Sequence, residues 1–479
     1  MMVMTPVQLA AQELLRRRKA RRGLLDFILY INPEYIVSEF AQELCAALDQ
    51  FFIDQQAGLR PVLVVQAPPQ HGKSDIVSRY APAFLFGQAP DLSIGGLSYS
   101  KDLATDMNRD VQRIMLSPEY HRLFPGASLS AKRAVTVDVE AKRNSDVFEI
   151  VGRKGRYVGQ GVGGPLTGKR LDIGLIDDPI KNAQEALSET IKDGIWNWYI
   201  TTFLTRLSKN SGQIIMATSW ATDDLSGRIL NINLKARHLK FVAVNLPGEK
   251  GYDPSRREGA LVPDLHPLDK LLETKAIMSD YFWSAMYQQS PVALGGNMFK
   301  TDCFKTWKGI PPRLKWRAVF ADTAQKTKEH NDYSVFQCWG ESWEGQAVML
   351  DQIRGKWEAP ELLTQAKAFW AKHKAENNGT LRAFNVEDKA SGTGLIQSMI
   401  GIPVVGIPRS VDKITRAMDA IPLIQSGNVL LPEDAPWLSD YLSEFAAFPK
   451  GAHDDQIDPT MDAIGEILSP VKRDWRAML

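Results

Sequence analysis

Short apolar runs alternate with helical patterns along the first half of the chain. The runs are rich in valine and isoleucine and end in polar or glycine-containing stretches, which is typical of buried parallel strands. In the segment 101–116, between two such runs, apolar residues recur at the spacing of one helical face. This alternation predicts a doubly wound parallel α/β sheet. The runs are PVLVV (61–65), SIGGLSY (93–99), VFEIVG (147–152), LDIGLIDDP (171–179), QIIMATS (213–219) and KFVAVNL (240–246).

The second half has a different order of elements. Three apolar runs (316–324, 332–340 and 346–355) are spaced for a meander, and a helical pattern (358–375) and a further strand (382–392) follow them. Residues 247–315 break the periodicity and predict a connection that contains one helix. The predicted organisation is a helical lead-in (1–50), a first domain (51–246), a connecting region (247–315), a second domain (316–470) and a tail (471–479).

The stretch APPQHGKSD (67–75) lies between the first apolar run and a helical pattern. A phosphate-binding loop needs this context, because its backbone N–H groups and the helix N-terminus bind phosphates while its lysine reaches the outer ones. Ala67 stands where such loops usually open with glycine, and the two prolines after it can fix the bend instead. The predicted ATP-binding residues of the loop are Ala67, Pro68, Pro69, Gln70, His71, Gly72, Lys73 and Ser74.

Asp177 and Asp178 close a later apolar run, where a phosphate loop requires a carboxylate for magnesium. We assign Ser74 and Asp177 to magnesium and Asp178 to polarising the attacking water. The alternative is a turn-forming Asp-Asp-Pro at a strand end. Thr218, at the end of another run, is predicted to sense the third phosphate.

The glycine-rich segment 152–170 is predicted to be a flexible loop. Loops near a nucleotide often carry an arginine that neutralises the developing charge, and Arg156 and Arg170 are the candidates. A solvated loop or a DNA-facing loop is the alternative reading of the same segment.

Acidic residues stand at element ends in the second half. Asp322 and Glu387 end predicted strands, and Asp454, Asp455 and Asp458 precede or begin a helical pattern. Asp455 and Asp458, three apart, would share a helix face, and like charges gathered there suggest a bridging cation. Asp322, Glu387 and Asp455 in this order fit a ribonuclease H-like nuclease with two divalent ions, Mg²⁺ or Mn²⁺.

Composition narrows the classes of protein. The chain is 44% hydrophobic and 24% charged with a net charge of +1, which argues against disorder and a uniformly basic coat. No apolar run approaches the roughly 18–20 residues that span a bilayer, and the N-terminus lacks the order of a signal peptide. Three scattered cysteines predict neither disulfides nor zinc. The basic run 16–22 is either a solvated helix face or a contact for DNA or a partner.

Taken together and in this order, seven segments resemble the large terminase subunit of tailed bacteriophages. The resemblance covers nearly the whole chain. The segments are PPQHGKSDIVS (68–78), LIDDPIKNAQEALSETIKDGIWNWY (175–199), ATSWATDDLSGRIL (217–230), DTAQKTKEHNDYSV (322–335), VEDKASGTGLIQ (386–397), DKITRAMDAIPLIQSGNVLLPEDAPWL (412–438) and FPKGAHDDQID (448–458).

The resemblance implies an ATP-driven double-stranded DNA translocase with a metal-dependent endonuclease, built as a P-loop NTPase of the additional-strand type followed by the ribonuclease H-like domain. It assigns Lys73 and Ser74 to ATP and magnesium, Asp177 to the magnesium, and Asp322, Glu387 and Asp455 to the nuclease metals. It also implies a portal ring, a small terminase subunit, a procapsid and a ring of about five copies in the host cytoplasm.

Two departures from the family pattern matter. Gln70 stands where an arginine is common, and Asp178 stands where glutamate is common, so Glu185 is a second candidate for polarising water. A helicase or restriction-type DNA motor with an attached nuclease is the alternative function. A regulatory protein with a decayed nucleotide site is a third reading, which the intact Lys73 and Ser74 argue against.

Overall fold

In a computed structural model the chain divides into two compact units, Met1–Val292 and Ala293–Leu479. The predicted tail, 471–479, lies outside the residues that the structure describes. Those residues are 5–129, 141–166, 168, 170–233, 235–278, 280–291, 298–323, 333–387, 390–408, 413–449, 451 and 453–468.

The first unit has eleven α-helices and nine strands in its described residues. The helices are α1 (Pro6–Ala20), α2 (Leu24–Ile31), α3 (Glu39–Gln56), α4 (Ala81–Gln88), α5 (Lys101–Met115), α6 (Pro118–Leu123), α7 (Ala183–Leu187), α8 (Glu189–Trp198), α9 (Leu225–Ile232), α10 (Leu268–Ile277) and α11 (Asp280–Phe282). The strands are β1 (Val62–Gln66), β2 (Ser93–Ser98), β3 (Val147–Glu149), β4 (Arg156–Gly161), β5 (Leu171–Asp177), β6 (Leu207–Ala217), β7 (Arg237–Lys240), β8 (Val244–Asn245) and β9 (Gly259–Ala260).

Seven of these strands form one sheet in the order β3-β4-β2-β5-β6-β1-β7. All neighbours are parallel except β3 and β4. One apolar core lies on the face that carries Leu63, Ile94 and Ile173, and another lies on the face that carries Val64 and Ile176. Burial on both faces explains the uninterrupted apolar runs in the sequence. The predicted doubly wound parallel sheet is confirmed.

The glycine-rich segment contains β4, so the prediction of a loop throughout 152–170 is wrong. β4 pairs in parallel with β2, from Arg156 opposite Ser93 to Gly161 opposite Ser98. Its glycines let α5 approach the strand: a Cβ on Gly159 would lie 3.0 Å from the Ala104 carbonyl oxygen. Glycine at this position therefore serves close packing of backbone on backbone.

The second unit has five α-helices and seven strands in its described residues. The helices are α12 (Ala359–Ala375), α13 (Ala390–Ser398), α14 (Lys413–Gln425), α15 (Leu438–Ala447) and α16 (Ile457–Leu468). The strands are β10 (Lys305–Trp307), β11 (Leu314–Asp322), β12 (Ser334–Ser342), β13 (Ala347–Gly355), β14 (Thr380–Glu387), β15 (Val404–Ile407) and β16 (Val429–Pro432).

These strands form a mixed sheet in the order β10-β16-β13-β12-β11-β14-β15. The predicted meander is present, because β11, β12 and β13 are antiparallel neighbours, and β14 adds in parallel to β11. Trp316, Phe320 and Trp339 face the core that includes α16, while Phe336 and Val386 face the core beneath α12. In the described residues, none of the helices is long and apolar enough to span a bilayer.

Candidate active sites

The phosphate loop joins β1 to a helical segment that begins at Lys73 and continues as a π-helical turn, Asp75–Tyr80. Ala67 is buried, and its N–H donates to the Ala217 carbonyl at 3.2 Å, extending the pairing of β1 with β6. Gln70 and Gly72 have left-handed φ values of 60° and 88°. The loop therefore turns at these two positions, and a small residue suffices at Ala67.

A histidine from a distant segment braces the loop. His266 lies with its Nε2 atom 2.9 Å from the Gln70 carbonyl oxygen, and its ring stacks on His71 with 4.3 Å between centroids. Burial lowers the pKa of His71 to about 4, so this imidazole is neutral at physiological pH. Gln70 thus contributes a backbone carbonyl to the brace.

Lys73 contacts the ends of three strands. Its buried ammonium group lies 3.2 Å from a carboxylate oxygen of Asp178 and donates to the Thr218 hydroxyl and to the Ala67 carbonyl. The other oxygen of Asp178 accepts from the Thr218 N–H at 2.8 Å. Asp178 reaches this position with a left-handed φ of 44°. The predicted lysine, water-polarising and phosphate-sensing residues therefore lie in direct contact.

Asp177 is fully buried beside this group. Its Oδ2 atom accepts a hydrogen bond from the Ser78 hydroxyl at 2.6 Å, and the nearby Ser74 hydroxyl acts to lower the pKa of the carboxyl. Burial, followed by the neighbouring charge of Asp178, raises the pKa of Asp177. Its Oδ1 atom has no hydrogen-bond partner in the described residues. A buried carboxylate oxygen beside a serine hydroxyl suits magnesium, which prefers oxygen ligands.

Arg156 and Arg170 lie at the amino ends of their strands, at the side of the sheet opposite the phosphate loop. This position contradicts their predicted role toward a nucleotide bound by the same chain. Arg156 begins β4 and Arg170 directly precedes β5, whereas the phosphate loop follows the carboxyl end of β1. The amino and carboxyl ends of the strands are separated by roughly 17 Å, the length of β4. Arg156 donates to the Ser93 hydroxyl at 3.1 Å and to the Arg170 carbonyl at 3.4 Å.

Glu185 has a local hydrogen-bonding role at the start of α7. Its carboxylate accepts from the Lys181 N–H at 2.8 Å, and its own N–H donates to the capping side chain of Asn182. Asn182 thus caps the helix through its side chain, and the Glu185 carboxylate binds the backbone just before that cap. Contact with Lys73 favours Asp178 over Glu185 as the residue that polarises water.

Three carboxylates converge in the second unit. Asp322 ends β11, Glu387 ends the adjacent parallel strand β14, and Asp458 lies in the first turn of α16. One oxygen from each lies within 4.8 Å of the other two. Glu387 and Asp458 are buried. An all-carboxylate set of this kind suits Mg²⁺ or Mn²⁺ better than zinc.

The third member of this cluster is Asp458, one of the three predicted metal-ligand candidates of the acidic segment, whereas Asp455 was predicted as the catalytic one. Asp455 precedes α16, is 2% exposed, and has a carboxylate oxygen 3.1 Å from the Arg354 guanidinium. Asp454 pairs with Lys413 at 2.7 Å. Asp458 also pairs with Lys413, at 3.0 Å, and with Arg416. The predicted helix face shared by Asp455 and Asp458 is absent, because the helix begins at Ile457.

Two protein-family models match the chain. One describes the terminase large subunit, T4likevirus-type, N-terminal, and matches residues 64–270; the other describes the terminase RNaseH-like domain and matches residues 319–466. Together they span about three quarters of the chain, in the family's order. The chain belongs to the large terminase subunit family. The predicted family, the fold class and the assignment to an ATPase and nuclease of viral DNA packaging are thereby confirmed.

Solved terminase structures resemble the chain at low identity. The large terminase of a thermophilic bacteriophage is 12% identical with a TM-score of 0.48, covering 91% of this chain and 100% of its own. The bacteriophage HK97 large terminase is 12% identical with a TM-score of 0.37, covering 93% and 99%. The nuclease of the large terminase from another thermophilic phage, G20c, is 16% identical with a TM-score of 0.27, covering 37% and 100%. No curated protein sequence matches.

Several residues around the terminase sites could not be predicted from local sequence patterns. His266 is 196 positions from Gln70, so no local pattern connects the two. Lys413 and Arg416 stand three apart at the start of α14, a spacing that could have indicated a basic helix face toward the carboxylates. Arg79 interacts electrostatically with Asp177, and ion pairs hold it to Asp75 at 2.6 Å and Asp110 at 2.7 Å.

Proposed function

We propose that this terminase hydrolyses ATP at the Lys73, Asp177 and Asp178 site and cleaves DNA at the Asp322, Glu387 and Asp458 site. Its overall activity is that of an ATP-driven double-stranded DNA translocase and endonuclease, which cuts concatemeric viral DNA and packages it into procapsids. The observation that carries the proposal is that one family member has both sites assembled, each in its own unit.

At the nucleotide site, Lys73 supplies positive charge to the outer phosphates, and the loop N–H groups bind phosphate oxygens. Asp178 accepts the hydrogen bond of the attacking water and orients it toward the third phosphate. Ser74 and Asp177 would hold a magnesium ion, which would neutralise charge on the phosphates. Thr218 contacts both Lys73 and Asp178. Loss of the third phosphate therefore changes the surroundings of Thr218, which lies near the start of the segment 217–230.

At the nuclease site, Asp322, Glu387 and Asp458 would hold divalent ions. Such ions activate a water molecule and stabilise the leaving oxygen in phosphodiester cleavage. The pairing of Asp458 with Lys413 and Arg416 offsets the repulsion among the three carboxylates. These basic side chains also bring positive charge to a site whose substrate is a polyanion.

The partners follow from membership in the family. A terminase large subunit acts on DNA in packaging, and we propose further that this chain binds a portal ring and a small terminase subunit. We also propose that about five copies form a ring that docks on the procapsid in the host cytoplasm. Arg156 and Arg170 remain candidates only for contacts outside the nucleotide site of their own chain.

The test measures two activities in one preparation of the full chain. We expect phosphate release from ATP with Mg²⁺, and nicking of supercoiled plasmid with Mn²⁺ that EDTA abolishes. Plasmid that stays intact with Mn²⁺ would contradict the nuclease assignment, and no phosphate release would contradict the ATPase assignment. A strand-displacement assay on a tailed duplex distinguishes this function from that of a helicase. We expect no strand displacement by this protein.

A further inference from the structure

Four fully buried side chains near the end of β5 carry polar atoms without a hydrogen-bond partner in the described residues. They are Oδ1 of Asp177, Oγ of Ser98, the hydroxyl of Tyr157 and Nδ2 of Asn108. Leaving a buried polar group without a hydrogen bond destabilises the folded state, so most buried polar groups in proteins bond to protein atoms or to ordered water. Several unpartnered polar atoms in one place indicate a shared ligand.

The sheet register brings these atoms to one face. Ser98 of β2 lies directly opposite Asp177 of β5, and Tyr157 of β4 lies opposite Ile94. Paired residues on neighbouring parallel strands point to the same face, and so do residues two apart on one strand. Ile94, Gly96 and Ser98 therefore form one row, with Tyr157 on one side and Asp177 on the other.

The Tyr157 hydroxyl extends across this row toward the carboxylate. A Cβ on Gly96 would lie 1.7 Å from the hydroxyl oxygen, so the tyrosine occupies the space that the glycine leaves. On α5, Asn108 covers the same face, with its Cβ 3.6 Å from where a Cβ on Gly159 would stand.

We propose that Ser98 and Tyr157 are positioning residues for the magnesium-binding carboxylate. Their hydroxyls and Oδ1 of Asp177 share ordered water, which fixes the orientation of the carboxylate behind the phosphate loop. This inference rests on the proposed ATPase site. Magnesium retains several waters and demands near-ideal geometry, so an outer shell that orders water and carboxylate favours its binding.

A purely structural role makes the opposite prediction. If the Tyr157 hydroxyl only fills space without a partner, Tyr157→Phe removes an unsatisfied polar atom and leaves stability unchanged or increased. The magnesium requirement would then be that of the wild type. The magnesium requirement of this variant thus separates the two roles.

The experiment titrates Mg²⁺ into the full chain with a fluorescent, non-hydrolysable ATP analogue. We expect Tyr157→Phe and Ser98→Ala each to raise the Mg²⁺ concentration for half-maximal binding about tenfold. Binding of the analogue in EDTA should be unchanged, because the loop and Lys73 are untouched. Tyr120→Phe is the matched control: Tyr120 is equally buried, but its hydroxyl donates to the Ala83 carbonyl at 2.9 Å. It should keep the wild-type requirement.

The outcomes distinguish this inference from the function on which it rests. A wild-type chain whose analogue binding ignores Mg²⁺ would overturn both the magnesium site and the inference. A magnesium-dependent wild type with both variants within twofold of its requirement would overturn the inference alone. Because the two variants remove atoms from different strands, a folding defect in one leaves the other to decide the result.

Discussion

The two active sites differ in how their charges are assembled. At the nucleotide site one short motif supplies the cation, Lys73, and a second strand of the same sheet supplies the two acidic residues, Asp177 and Asp178. At the nuclease site the three carboxylates come from segments far apart in sequence, and cations from α14 pair with one of them. Short motifs at strand ends thus mark the parts of the first site, whereas the second site is recognisable as one cluster only in the tertiary fold.

The largest expected loss of ATP hydrolysis comes from a change in the phosphate loop that leaves DNA cleavage intact. Lys73→Ala should reduce ATP hydrolysis by at least about a hundredfold, because a buried cation that faces the phosphates is lost. Phosphate release measures this loss. Plasmid cleavage with Mn²⁺ by the same variant should be unchanged, and unchanged ATP hydrolysis would refute the assignment of the phosphate loop.

The converse change acts on the second unit. Asp322→Ala should abolish plasmid nicking with Mn²⁺, because it removes one of three converging ligands, while ATP hydrolysis stays at the wild-type rate. Gel analysis of supercoiled plasmid, with EDTA-treated wild type as the reference for no cleavage, measures the loss. Persistent nicking would show that the nuclease centre lies elsewhere.

An isosteric pair tests which aspartate completes the cluster. Asp458→Asn should lower Mn²⁺-dependent cleavage by about a hundredfold. Asp455→Asn should retain most cleavage and cost about 1–3 kcal/mol in the free energy of unfolding, because it weakens the contact with Arg354. Cleavage rates and denaturant unfolding of both variants give the answer, and the reverse ranking of cleavage would restore Asp455 as the ligand.

The smallest expected change in ATP hydrolysis comes from Arg156, at the amino end of β4. Arg156→Ala should leave ATP hydrolysis of dilute protein within about twofold of wild type, because the contacts of Arg156 lie at the edge away from the phosphate loop. The thermal midpoint should fall only slightly. A loss of ATP hydrolysis as large as that of Lys73→Ala would place this arginine back at the nucleotide.

The sequence predicts those parts of the molecule in which a functional residue directly follows a recognisable strand. The run before Ala67 and the run before Asp177 each predict a strand and its functional end, because burial on both faces leaves an unbroken apolar pattern. Segment 152–170 shows the limit of this reasoning. Glycine density indicates flexibility and close packing equally well, and only the pairing of β4 with β2 decides between them.

The choice between Asp455 and Asp458 shows a second limit. Both lie in one acidic cluster, and the start of α16 at Ile457 decides which carboxylate lies close to Asp322 and Glu387. Helix boundaries are uncertain by a few residues when they are read from sequence. The brace of Gln70 by His266 depends wholly on tertiary structure, because the two residues are 196 positions apart.

The central claim is that one chain carries two independent active centres, and a crossed set of variants tests it most directly. Wild type, Lys73→Ala, Asp322→Ala and the double variant are measured in both assays. Independent centres predict that cleavage in the double variant equals that of Asp322→Ala, and that its ATP hydrolysis equals that of Lys73→Ala. A Lys73→Ala protein that loses Mn²⁺-dependent cleavage as completely as it loses ATP hydrolysis would contradict the claim.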